Sequence, residues 1–307
     1  PQYVGVTNGE LNHAMRLLAQ ADVILTLGAR VDYRLGHGRP PAVARDAKFI
    51  RVDIDAEEVT RTLTPEVGIV GDPRSVLEQM AEWVLCEGRK PHTAWLRKVR
   101  KAHEALVQKW AKLGHEDVCP VPSIRIVREI RKFLDRDVTF LLDAGNMGRW
   151  AHMTLFNRHP SHWLTCGASG VVGWGLPGAA AAKLANPKKP VLLLSGDGAA
   201  GFTVAEIETA MRFKAPYVAV IAHDSAWGIV ADGQPEGRHV ASEFGEIRFD
   251  RVAQALGAKG VFIESPTQLA PAIERGLKED TVTVIHVPTQ LAGVSHWEKR
   301  FGRGIAQ

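Results

Sequence analysis

Apolar positions come in short unbroken runs separated by segments of helical spacing, the pattern of parallel strands buried on both faces and joined by helices. Leu11, Met15 and Leu18 have helical spacing, and the run at 23–27 then reads as a buried strand that stops at Gly28. A second run, 49–54, ends among the acids Asp53 and Asp55. A third, 68–70, leads through Gly71, Asp72 and Pro73 into a helix over 75–84. Residues 87–122 are charged, with Trp95, Val99, Ala102 and Leu106 on one helical stripe, which predicts a connecting helix closed by Pro120 and Pro122. Alternation then resumes, with strands expected at 138–142, 163–165, 191–194, 217–222 and 282–287 and helices at 124–134, 176–184, 204–213, 250–256 and 269–277. The expected fold class is α/β, with two doubly wound parallel-sheet domains. The first is partial and covers 1–86, a linker helix covers 87–122, the second domain covers 123–290, and 291–307 form a tail. Because the pattern opens partway through a domain, a preceding portion is expected.

Composition narrows the function. With 307 residues, 45% of them hydrophobic, the chain can bury a core in each domain. The net charge of +4 arises from 38 basic and 34 acidic residues spread along the whole length, so no basic stripe marks a nucleic-acid partner. The most apolar stretch, 171–182, is interrupted by three glycines and a proline and is too short to span a bilayer. Cys86, Cys119 and Cys166 lie far apart without metal-ligand spacing, which reads as reduced thiols in a cytoplasmic protein.

The candidate chemistry begins where the strand at 191–194 runs into Gly196-Asp197-Gly198-Ala199-Ala200-Gly201. Parallel sheets bind ligands beyond the carboxyl ends of their strands, and a glycine-rich turn into a helix presents backbone N–H groups to an anion. Alone, Gly-Asp-Gly is ordinary turn chemistry. The next strand changes the picture, because it ends in His223-Asp224-Ser225-Ala226-Trp227-Gly228 and so puts Asp224 beside Asp197 at neighbouring strand tips. Two carboxylates next to a phosphate seat call for a hard divalent cation, Mg²⁺ being the natural choice.

Four segments in order carry a resemblance to a known family. Gly196-Asp197-Gly198 with a second ligand 27 positions later resembles the thiamine-diphosphate signature. The run WLTCGASGVVGWGLP at 163–177 is similar to the acetolactate synthase and 2-hydroxyacyl-CoA lyase (oxalyl-CoA decarboxylase-like) branch, and ADVILTLGAR at 21–30 and FIRVDID at 49–55 resemble its central, Rossmann-like domain. The resemblance implies that Asp197, Asp224 and the Ala226 carbonyl hold Mg²⁺. It also implies that Asn146, Gly196, Gly198, Ala199, Trp227, Gly228 and Ile229 surround thiamine diphosphate, with Gly170 and Val172 against its aminopyrimidine. Two positions depart from the family pattern: Asp224 stands where Asn is usual, preceded by His223, and Met147 stands where acetolactate synthases place His.

The activating glutamate of this family comes from a separate pyrimidine-binding domain. None is visible in these residues, so no catalytic residue is assigned, a partner domain or subunit is expected, and the assembly is expected to be a dimer or tetramer. In the first domain, Gly28, Arg30, Asp53, Ile54 and Asp72 outline a pocket that in related proteins takes the ADP part of coenzyme A, FAD, or nothing. GHGRPP at 36–41 and Asn146 favour the 2-hydroxyacyl-CoA lyase type. The expected reaction makes or breaks a carbon–carbon bond next to a carbonyl, on a 2-hydroxyacyl-CoA or, alternatively, on 2-keto acids as in acetolactate synthase. A non-catalytic subunit or binding module is the reading from another class. His152, His159 and His162 lack metal-like spacing, and the tail around 296–301 is a candidate lid.

Overall fold

The computed structural model describes residues 2–9, 11–88, 90, 92–143, 145–155, 163–235 and 238–291. His159, His162 and the tail beyond 291 lie outside the described residues. Contacts divide the chain into two compact units, one running to Trp110 and the other beginning at Ala111.

The first unit opens with a 3-10 helix, His13–Gln20, whose Asn12 side chain accepts from the Ala14 N–H. Strands β1 (Val23–Leu27) and β2 (Lys48–Asp53) follow, then the short helix α1 (Ala56–Thr60), strand β3 (Val67–Val70), and helices α2 (Pro73–Cys86) and α3 (Thr93–Ala111). The three strands pair in parallel in chain order. Its core gathers Ile24, Val31, Val43 and Phe49, with Trp95 of α3 packed against it. The expected linker helix is therefore a packed part of this unit. It also ends earlier than the two prolines would dictate, at Ala111.

The second unit contains α4 (Ser123–Leu134), β4 (Thr139–Asp143), α5 (Gly145–Thr154), β5 (Trp163–Thr165), α6 (Gly175–Ala185), β6 (Val191–Gly196), α7 (Asp197–Phe202), α8 (Glu206–Arg212), β7 (Val218–His223), α9 (Gly228–Asp232), α10 (Phe249–Ala255), β8 (Lys259–Phe262), α11 (Leu269–Gly276) and β9 (Thr283–Pro288). All six strands are parallel, in the order β5-β4-β6-β7-β9-β8. Five strands were expected here, and β8 is the addition. It is short, carries Lys259 and Gly260, and sits half-buried at the sheet edge, so it lacks the apolar run that marks an interior strand. By contrast, every residue of β4 and β7 is buried.

Chain order reverses in this sheet between β4 and β6. The chain moves outward from β4 to β5 and then returns past β4 to lay down β6, β7 and the rest. A crevice opens at the carboxyl ends of the two strands on either side of such a reversal. Among the described residues, no helix is long and apolar enough to cross a membrane.

Candidate functional site

The crevice is a cleft of about 210 Å³ at the β4/β6 reversal. The turn after β4 contributes Gly145, Asn146 and Met147, and the loop after β5 contributes Gly170 and Val172. The β6–α7 turn supplies Gly196, Asp197, Gly198 and Ala199, and the segment after β7 supplies Asp224 and Ala226 through Val230. Every residue expected to touch thiamine diphosphate or the cation therefore lines one cleft, although they come from four strand ends.

Asp197 organises the centre. It is 3% exposed, its Oδ1 accepts the Gly198 N–H at 2.8 Å, and its Oδ2 accepts the Ser225 N–H at 2.8 Å, tying the tips of β6 and β7 together. Ser225 reaches this position by adopting a left-handed backbone, φ 58°. Register explains the proximity, because Gly196 pairs with Ala222 and each carboxylate lies just beyond. Asp224 Oδ1 accepts the Ala226 N–H at 3.2 Å. Burial raises the pKa of Asp197. Burial and then the Asp197 charge push the Asp224 carboxyl up to about 7. Each carboxylate oxygen that takes one N–H keeps a second lone pair. Among the described residues, no cluster of three His, Cys, Asp or Glu is placed to hold a metal, so a cation here would have two carboxylates completed by carbonyl and ligand oxygens.

The cleft also has open backbone, because a Cβ on Gly145, Gly170 or Gly196 would meet nothing within 4 Å. A Cβ on Gly198 would lie 2.8 Å from the Trp227 ring, and one on Gly228 would lie 2.8 Å from Asp224 Oδ2. Glycine at these places lets the indole and the carboxylate close onto bare backbone. Trp227 is in turn packed against Phe202 and Phe244, with ring centroids 5.3 and 5.8 Å away.

Sequence reasoning missed one organiser. Asp143, at the tip of β4 and fully buried, accepts from the Gly173 N–H at 3.3 Å and the Gly175 N–H at 2.8 Å. Burial raises its pKa while those two N–H groups lower it. It thus fastens the Val172 loop to the tip of β4. A lone Asp at the end of an apolar run was the available signal. Helix α5, which opens at Gly145 and carries Asn146, was also absent from the expected elements.

The first unit's candidates all lie at the carboxyl ends of β1, β2 and β3, but their side chains are otherwise occupied or exposed. Asp72 caps α2 by accepting from the Ser75 N–H at 3.0 Å, and Asp53 Oδ1 accepts the Asp55 N–H at 3.1 Å. Arg30, itself exposed, lies 4.0 Å from the largely buried Glu58 carboxylate, and Ile54 is 74% exposed. Gly28 has φ 56° and donates its N–H to Val52 O.

Comparison with known families now decides the assignment. A model described as thiamine pyrophosphate enzyme, C-terminal TPP binding domain, matches residues 143–287, the stretch that holds the cleft. A second model, thiamine pyrophosphate enzyme, central domain, matches residues 1–80. The chain belongs to the thiamine pyrophosphate enzymes. Among its relatives are a probable acetolactate synthase of Mycobacterium bovis, 32% identical over 280 residues, and 2-hydroxyacyl-CoA lyase 1 of Mus musculus, 28% identical over 315 residues. The alignments take in 89% and 93% of this chain but 50% and 53% of those proteins. A glyoxylate carboligase of Escherichia coli O157:H7 is 27% identical, over 84% of this chain and 46% of that protein. The chain thus spans about half the length of the relatives it matches.

Proposed function

We propose that this thiamine pyrophosphate enzyme binds thiamine diphosphate through Mg²⁺ in the β4/β6 cleft and serves carbon–carbon bond cleavage or formation next to a carbonyl. The observation that carries the reading is the pair Asp197 and Asp224 at adjoining strand tips, the first buried and the second half-buried, beside a turn stripped of side chains at Gly196 and Gly198. Asp197, Asp224 and the Ala226 carbonyl would hold the cation. Gly198, Ala199, Asn146 and the Trp227-Gly228-Ile229 segment would surround the diphosphate, and Gly170 and Val172 would meet the pyrimidine. Bound there, the cofactor supplies a stabilised carbanion that adds to carbonyl carbons. The protein's own part would be to hold the cation that offsets the diphosphate charge, to orient the cofactor, and to wall the cleft with Trp227.

Val171, Ile229 and Val230 are exposed at or beside the cleft mouth, as expected if a pyrimidine-binding domain carrying the activating glutamate closes over it in a dimer or tetramer. Substrate choice between a 2-hydroxyacyl-CoA and 2-keto acids is the finer part of the proposal. Met147 on the cleft wall, where acetolactate synthases place His, favours the lyase. An adenine nucleotide at Gly28, Arg30 and Asp53 has no support from the family matches, and we assign none.

Calorimetric titration of the protein with thiamine diphosphate, with and without Mg²⁺, tests the reading. Binding that requires the cation is expected. Mg²⁺-independent binding, or none, contradicts it. Acyl-CoA cleavage by the assembled enzyme would then separate the lyase from acetolactate-type condensation.

A further inference from the structure

The segment delivering Asp224 is pinned by a histidine whose two ring nitrogens are both engaged. His223 ends β7 and is 5% exposed. Its Nε2 lies 3.1 Å from the Ile247 N–H, which can only donate, so Nε2 carries the lone pair and the ring proton sits on Nδ1. Nδ1–H then donates to Ser225 Oγ at 3.3 Å. Ser225 is the residue whose strained backbone sends its N–H to Asp197. The ring is held in place from behind as well. It stacks on His286 with centroids 4.9 Å apart, His286 stacks on Phe262 at 5.2 Å, and Arg248 covers Phe262 at 4.0 Å. His286 Nδ1 accepts the Phe249 N–H at 3.2 Å, and Arg248 is fixed by a two-pronged pair with Asp250.

We propose that His223 is a positioning residue for the diphosphate and cation seat. Through the contacts of its two ring nitrogens it locks the 223–226 turn, so that Asp224 and Asp197 face the cleft together. The inference rests on the function proposed above and assigns a role to a side chain that departs from the family's usual Asn. Neither ring nitrogen is needed for the sheet itself, whose hydrogen bonds run through main-chain atoms. Outer groups that only orient a ligand still affect its affinity by about 10–100-fold when removed.

The test measures thiamine diphosphate affinity at saturating and limiting Mg²⁺, together with the melting temperature without cofactor, for the wild type, His223→Phe, His223→Asn and Ser225→Ala. Phenylalanine keeps the stacking on His286 but breaks both ring hydrogen bonds, and should weaken Mg²⁺-dependent binding about 10–100-fold. Asparagine keeps a donor near the Nδ1 position and should recover part of the loss. Ser225→Ala, which removes the hydroxyl acceptor, should weaken binding by a smaller factor. Wild-type affinity in His223→Phe with only a lowered melting temperature would overturn the proposal. Should that variant fail to fold, unchanged affinity in Ser225→Ala overturns it instead. A wild type that binds no thiamine diphosphate would overturn the function reading and this one with it, an outcome distinct from either.

Discussion

The carboxyl ends of the two sheets are written in nearly the same letters, glycine and aspartate after a buried parallel strand, yet they have become different things. At the three-stranded sheet, Asp72 caps the helix next to it, Asp53 holds a neighbouring N–H, and Ile54 stands in solvent. At the six-stranded sheet, Asp143, Asp197 and Asp224 are drawn inward, and their neighbours are bare glycine backbone and an indole. What separates the two is topology. The three strands of the first sheet follow one another in order, whereas the second reverses between β4 and β6 and leaves a crevice there. Charge kept out of water in such a crevice is costly unless a counter-ion arrives, while charge at an exposed helix start stabilises the helix it caps.

This contrast can be broken most forcefully at Asp197. Asp197→Ala removes a proposed cation ligand and the acceptor of the Ser225 N–H, and should weaken thiamine diphosphate binding by at least about 100-fold, beyond the 10–100-fold typical of merely orienting groups. Calorimetry in saturating Mg²⁺ checks this, and retained binding would place the seat elsewhere. Next in size is Gly198→Ala. Its methyl would press on the Trp227 ring, which packs against Phe202 and Phe244, at a cost of about 1–3 kcal/mol in stability, read by chemical denaturation, together with weaker binding.

Asp224→Asn sharpens the comparison through pH. In the metal-free protein the Asp224 carboxyl, at about 7, holds its proton more tightly than the unfolded chain does at 3.8. Folding stability from this group is therefore greatest at acid pH and is lost as pH rises through the interval between those values. The amide cannot ionise, so Asp224→Asn should melt higher than wild type above pH 7 in chelator, by about 1–3 kcal/mol, and the difference should vanish near pH 4. Mg²⁺-dependent thiamine diphosphate binding should survive, because an amide oxygen is still a ligand. The smallest effect belongs to the first unit. Asp72→Ala should cost about 1 kcal/mol through loss of the α2 cap and leave thiamine diphosphate affinity unchanged.

Legibility followed burial. Strands β4, β6, β7 and β9 announced themselves because interior parallel strands are apolar throughout. Strand β8 did not, since one edge is open to water and Lys259 and Gly260 are acceptable there. The cleft was readable because Gly-Asp-Gly and the 223–228 segment lie on consecutive strand ends, so sequence order implied neighbourhood. Asp143 was not readable in its role, because its partners Gly173 and Gly175 are about thirty positions away and only the sheet order brings them to it. The same holds for His223, whose partners Ile247 and His286 come from distant segments.

Those two bonds from Asp143 bear on how the cleft behaves over time. Amides in connecting segments ordinarily trade their hydrogens with solvent quickly, because local opening there needs little free energy. Gly173 lies in such a segment and Gly175 opens α6, where the first N–H groups have no partner within the helix, yet both donate to a carboxylate with no solvent exposure at the tip of an interior strand. Their deuterium uptake should consequently keep pace with β4 rather than with the surface. The wall proposed to meet the cofactor's ring would then be as stiff as the centre of the sheet.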